Sequence, residues 1–234
     1  MNKKVAIILS ILLIIIALLI STFFFYNQQY SFEKVLDLIN PQITENMSLK
    51  INSKNSDGNS LEEYNIIDNL SYQNFYINDD IIHEFTFNFE TKEQVNIFHH
   101  SKEFFLFKIE DPSLNIISDR LNYYKELLSK SQKNSYKYHS KENINNNEII
   151  KISVDFEKNF FLNIDNPVRL YYYINLTQKT IDKIEHYNLI NNNETLVSTD
   201  NFSYSYNTVT KENVLVNLDD YSDYTYANKN DIQK

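Results

Sequence analysis

YYYINLTQKTIDKIEHYN, Tyr171 to Asn188, sets two apolar and aromatic runs on either side of a polar middle. Side chains alternate across a strand, so Tyr171 and Tyr173 share one face and Tyr172 takes the other. The stretch reads as a β-hairpin with one face turned inward. Three adjacent tyrosines suit such a strand. One set packs inward, and the other lies half-buried on a wetter side with its hydroxyls solvated.

Period-two patterning extends outward from this hairpin. MSLKINSK alternates Met47, Leu49 and Ile51, and HEFTFNFE alternates Phe85, Phe87 and Phe89. EIIKISVDFE places Ile150, Ile152, Val154 and Phe156 on one face. EQVNIFHH, SYKYHS, VRLYYYINL and ETLVSTDNFSYSYN read as further strands, and EYNIIDNLSYQNFYI as one more. EFFLFKIE is apolar on both sides, and the Phe104–Phe107 run with Phe105 and Phe107 either lines a lipid cavity or is central core. NSDGNS, residues 55–60, is a turn holding the sole glycine, Gly58, while the Asn-rich NINNNE and NNNE turns use a residue that tolerates left-handed backbone.

Two segments change period to that of a helix. SFEKVLDLI, residues 31–39, puts Phe32, Val35, Leu36 and Ile39 on one stripe, with Ser31 as N-cap and Pro41 beyond the end. DPSLNIISDRLNYYKELLSK spaces Leu114, Ile117, Leu121, Tyr124 and Leu128 by three and four, with Asp111 as cap and Pro112 at the first position. The expected fold is α+β. A strongly curved antiparallel sheet of roughly ten strands forms a half-barrel, helices cover its concave face, and one N-terminal transmembrane helix precedes it. The helical stripe is expected to face Phe85, Phe87 and Phe89 and the Ile150, Ile152 and Val154 row. An apolar void there of about 300 Å³ or more would suit a lipid, and a filled interior a protein partner.

Val5 to Tyr26 contains no charge, and Lys3 and Lys4 precede it. Twenty-two helical residues rise about 33 Å, enough for a bilayer core of about 30 Å. The positive-inside rule keeps residues 1–4 cytoplasmic. A signal anchor over 5–26, a linker over 27–30, an extracytoplasmic domain over 31–226 and a polar tail over 227–234 follow. The expected location is the cytoplasmic membrane, crossed once. A cleaved signal peptide would have a shorter apolar run and a small-residue cleavage site.

Composition removes several chemistries. One glycine in 234 residues leaves no phosphate-binding loop, dinucleotide fingerprint or nucleophile elbow in its usual form. Without cysteine there is no thiol catalysis, thiolate zinc site or lipid-attachment cysteine. The total charge of −9 becomes −11 for residues 31–234 once the two leading lysines are set aside, which repels nucleic acid. His83 and Glu84 with Asp79 and Asp80 form one local group of hard ligands, read as a solvated loop. Neighbouring His99 and His100 point opposite ways on a strand. Glu62–Glu63 and Asp219–Asp220 show no sign of meeting in a glycosidase-like cleft. No cofactor is implied.

The INLTQKTIDKIEHYN hairpin resembles one found in the LolA-like lipoprotein-carrier superfamily, which includes clostridial spore germination lipoproteins of the GerS type. Ile174 matches the strand residue and Asn175 stands where Asp is common; Lys183, Glu185, Tyr187 and Asn188 follow in register. Asn201 and Phe202 match an Asn-Phe of the next hairpin, whereas Thr180–Ile181 replaces the Leu-Pro of the turn. The resemblance implies a half-barrel plugged by helices. The expected protein is a non-enzymatic, membrane-anchored extracytoplasmic binding protein. It would hold either a lipid or lipoprotein acyl chain or a cell-envelope protein partner, possibilities that include sporulation and germination in a Gram-positive cell. A cell-envelope hydrolase, or a regulatory subunit of one, is the alternative.

Overall fold

The computed structural model describes residues 11–21, 30–108, 116–157, 167–191 and 193–227. Residues 11–21 are helical (α1). Helices α2 (Phe32–Leu38) and α3 (Ile116–Ser129) follow, the second interrupting a run of strands. The strands are β1 (Asn46–Asn55), β2 (Gly58–Ile67), β3 (Leu70–Ile77), β4 (Asp80–Asn88), β5 (Glu93–Phe98), β6 (Glu103–Lys108), β7 (Lys137–Ile144), β8 (Asn147–Phe156), β9 (Val168–Asn175), β10 (Thr180–Ile190), β11 (Asn193–Tyr206) and β12 (Thr225–Tyr226).

All twelve strands form one open, curved sheet in the order β12-β6-β5-β4-β3-β2-β1-β11-β10-β9-β8-β7. Pairing is antiparallel throughout except for β12, which lies parallel to β6. The expected count was roughly ten. One of the added strands arises where EYNIIDNLSYQNFYI, read as a single strand, folds as β2 and β3 around a turn at Asp68–Asn69. Asp68 takes φ 50° there, a conformation its short polar side chain tolerates.

The turns carry the strain that glycine would usually relieve. Among the ten described non-glycine residues with positive φ, Asn78, Asn145, Asn146, Asn191 and Asn207 supply five, and Asp68 and Asp79 two more. Gly58 follows the two-residue turn joining β1 and β2, at φ +145°; a Cβ there would lie 2.3 Å from Asn78 Oδ1. The Asn55 side chain accepts from the Asp57 and Gly58 amides at 2.8 and 3.0 Å and closes that turn.

Helices α2 and α3 lie on one side of the sheet, here the inner face. Val35 and Ile39 from the α2 region and Ile117, Leu121, Tyr124, Leu127 and Leu128 from α3 join one apolar cluster. Its floor is Met47, Leu49 and Ile51 of β1, the Ile150, Ile152, Val154 and Phe156 row of β8, and Leu170, Tyr172 and Ile174 of β9. Ser31 precedes α2 with extended backbone but makes no side-chain cap bond; its carbonyl accepts from Val35 N at 2.9 Å instead. Asp111, Pro112 and Leu114 lie outside the described residues.

Candidate functional site on the inner face

The hairpin that opens the sequence is β9–β10, and its two faces differ in kind. Tyr172 is fully buried on the inner face, opposite Ile152 and Ile184. Tyr171 and Tyr173 lie on the outer face in a lattice of cations and carboxylates. Lys151 Nζ stands 4.4 Å from the Tyr171 ring centroid and 5.0 Å from that of Tyr173; Lys183 Nζ lies 3.9 Å from the latter. Tyr173 donates to Glu185 at 2.8 Å, Lys183 to Glu185 at 2.7 Å, and Tyr187 packs edge-on to Tyr171. Burial alone would raise the Glu185 carboxyl, but the bonds from Lys183 and Tyr173 outweigh it and hold the group low. Of the remaining family-like positions, Ile174 is buried inward and Asn175 closes the turn, accepting from Thr177 N and Gln178 N at 3.1 and 3.0 Å.

Inward, the half of the sheet under α3 is closed. Ile117 and Leu128 are wholly buried, as are Ile150, Ile152 and Val154. A cavity of about 250 Å³ opens at the rim, lined by Glu62, Arg120, Tyr123, Tyr124, His186 and Asp200 among others. Glu62 accepts from Arg120 Nη2 and from the Tyr64 hydroxyl, both at 2.5 Å. The Arg120 guanidinium also lies 5.2 and 5.0 Å from the Tyr123 and Tyr124 ring centroids. His186 Nε2 and Asp200 Oδ2 are 3.0 Å apart and nearly buried. This rim group was not singled out from sequence, because its members come from β2, α3, β10 and β11 and meet only through strand register.

The other half of the inner face carries a wall of phenylalanine. Register places Phe75, Phe85, Phe87, Phe105 and Phe107 on the same side as Tyr64 and Leu49. Phe98 joins them, and Phe89 follows just past β4. None of these belongs to the cluster closed by α2 and α3. The expectation that the α3 stripe faces Phe85, Phe87 and Phe89 is therefore corrected. The twelve-stranded sheet is wider than two short helices can cover, so α3 lies over the β8–β11 side and β2. Rings touch along the wall, with centroids 4.6 Å apart for Phe87–Phe89, 5.5 Å for Phe98–Phe105 and 6.1 Å for Phe105–Phe107. Phe87 and Phe105 are buried, Phe75, Phe85, Phe89 and Phe107 half-buried, and Phe98 is 38% exposed.

His83 stacks on Phe98 at 4.6 Å, and burial lowers its pKa. Its neighbour Glu84 points to the outer face, where Tyr72, Tyr221 and His99 converge on the carboxylate, the last two at 2.6 and 2.7 Å. Among the described residues no group of three or more histidines and carboxylates could hold a metal ion.

The α1 stretch is apolar and exposed on every side, Leu13 and Ile14 each at 60% and Leu19 at 64%. Among the described residues no helix is long and apolar enough to cross a membrane. The ends proposed for the anchor, Val5 and Tyr26, lie outside the described residues.

No protein-family model matches the sequence, and no curated protein matches it. Solved structures with a related arrangement include a conserved protein from Thermus thermophilus (8% identity, 83% of this chain and 97% of that one, TM-score 0.46). Others are the lipoprotein LppX of Mycobacterium tuberculosis (10%, 76% and 98%, 0.40) and a domain from Vibrio parahaemolyticus described provisionally as an outer membrane lipoprotein-sorting protein (10%, 82% and 98%, 0.33). At scores below 0.5 these likenesses assign neither family nor function to the chain.

Proposed function

We propose that this chain is a membrane-tethered, non-catalytic, extracytoplasmic binding protein of the LolA-like type that holds an acyl chain against the phenylalanine wall of β3–β6. The wall is the observation that carries the reading. A row of rings on the inner face of a curved sheet, Phe87 and Phe105 buried, Phe75, Phe85, Phe89 and Phe107 half-buried and Phe98 exposed, offers an apolar, non-directional surface of the kind that takes hydrocarbon. Among the described residues, the void of about 300 Å³ expected under α3 is instead filled, with Ile117, Leu128, Ile150, Ile152 and Val154 wholly buried, and the rim cavity of about 250 Å³ brings in the charged groups of Glu62, Arg120 and Asp200, so the acyl reading rests on the wall alone.

The tether rests on a second observation. A helix apolar on all sides is stable when surrounded by protein core or lipid, and α1 exposes its large side chains all round. With Val5–Tyr26 as the full span, the N-terminus is cytoplasmic and the sheet is outside. An envelope partner acting on the same wall is the second use the surface supports, since half-buried aromatic side chains are also what protein interfaces favour.

Lipid extracted from the purified full chain and weighed by mass spectrometry tests the proposal. Acyl lipid is expected at near one equivalent with the wild-type chain. It should fall severalfold with Phe85→Asp or Phe98→Asp, each of which puts a charge on the wall. Equal recovery from all three chains would overturn it.

A further inference from the structure

One histidine stands inside the phenylalanine wall. Register sets Glu62, Phe75, His83, Phe98 and Glu103 in one row across β2 to β6 on the inner face. His83 therefore lies between two phenylalanines, and Phe85 follows it on the same face of β4. Its ring is half-buried and stacks on that of Phe98, the two planes 18° apart. Nε2 is buried and has no hydrogen-bond partner among the described residues.

The charges around the ring do not compensate one on it. Along the row, Glu62 lies beyond Phe75 and is held by Arg120 and Tyr64, and Glu103 lies beyond Phe98. On its own strand, Glu84 points to the outer face and meets His99 of β5 at 2.7 Å. Asp79 and Asp80 stand where the β3–β4 turn enters β4. Among the described residues, carboxylates pair with His99 and His186 but not with His83. Burial, and after it the nearby His99, holds the His83 ring below the ordinary histidine range, and Glu84 only partly opposes them.

A neutral imidazole can share a surface with phenylalanine, since its body is apolar. An imidazolium cannot do so cheaply, because it carries a charge and donates from both nitrogens, with no acceptor at Nε2. An acyl chain laid along Phe75, Phe85 and Phe98 removes the remaining water from the ring and disfavours its charged form further. The acyl-bound protein then takes up this proton only at a lower pH than the empty protein does. Between those two values the empty protein binds more protons, so acid favours release. We propose that His83 is an acid-sensitive release point for the acyl chain: neutral, it completes the apolar row, and protonated, it sets an unpaired cation beneath the chain. This device rests on acyl binding at the wall and adds its control by pH.

The full chain reconstituted in phosphatidylcholine vesicles, doped with a phosphatidylcholine that carries a photoactivatable group in its acyl chain, tests this. The probe's headgroup keeps its charge across the range in which histidine titrates, so a change with pH belongs to the protein. Adducts on β3–β6 peptides are measured against probe fraction at about pH 7.5 and about pH 5, on either side of the histidine range. One proton weakens binding by at most about tenfold per pH unit, so the half-saturating probe fraction is expected to rise at least about threefold in the wild type at the lower pH. It should stay flat in His83→Gln and His83→Phe, two neutral replacements of which either decides the matter if the other fails to fold. Wall adducts kept at acid pH by a variant also show that acid has not unfolded the sheet. Wall adducts that hold with pH in the wild type, or fall equally in the variants, overturn the proposal and leave acyl binding standing. Wall adducts absent at both pH values overturn acyl binding itself, and this device with it.

Discussion

Lys183 Nζ sits 3.9 Å from the centre of the Tyr173 ring, and the same lysine bonds the carboxylate that receives the Tyr173 hydroxyl. One ring thus meets a cation at its face and an anion at its edge, which is how tyrosine satisfies a half-buried position on the outer side of β9. Its neighbour Tyr172 faces the opposite environment, wholly buried with a hydroxyl that has no partner among the described residues. Tyr172→Phe should therefore leave stability unchanged or raise it slightly, whereas Tyr172→Ala should cost about 3–5 kcal/mol by opening a core cavity. Urea unfolding midpoints of the two variants measure the contrast.

Gly58 is required by geometry as well as by conformation. Gly58→Ala should destabilise by about 1–3 kcal/mol, because φ +145° is strained for any L side chain and the added methyl meets Asn78 Oδ1. Adding Asn78→Gly removes the clash but not the strain. The double variant should recover only part of the loss in the same unfolding assay.

Glu62 accepts from two donors at once, Arg120 and the Tyr64 hydroxyl. Glu62→Ala should cost about 1–3 kcal/mol, since it strands both donors at a site only partly open to water. Pairing Glu62→Met with Arg120→Met removes the uncompensated charge and should cost less than the sum of the two single changes, as a double-mutant cycle would show.

Asp182 gives a dependence on pH. Burial raises its carboxyl above the usual range, and the bonds from Thr180 and Asn175 only partly oppose this. The folded chain therefore binds this proton more tightly than the unfolded chain does. The contribution of Asp182 to stability falls as pH rises from about 3.9, the unfolded value, through the raised native one. Asp182→Asn should remove that decline, so the difference in unfolding midpoint between variant and wild type should change across this window and be flat well above it.

Local chemistry made much of the sheet readable. The 171–188 hairpin, the glycine turn and the asparagine turns each announce themselves through alternation or through a residue suited to positive φ. Where the sequence misled, the cause was width. Phe85, Phe87 and Phe89 alternate as cleanly as Ile150, Ile152 and Val154, and nothing in either pattern says which row a helix will cover. The cover follows from strand order, which puts β4 three places from β1 and away from α3. Long-range register likewise hid the rim around Arg120. Strand β12 was hidden too, as two residues whose pairing with β6 depends on contacts such as Lys102 with Asp223, 2.6 Å apart.

A photoactivatable fatty acid cross-linked to the full chain, with adducts mapped by peptide mass spectrometry, tests acyl binding at the phenylalanine wall most directly. Adducts concentrated on β3–β6, at or beside Phe75, Phe85, Phe98 and Phe107, and competed away by unlabelled fatty acid are the expected result. Adducts confined to residues 11–21, or spread over the outer face without competition, would contradict it.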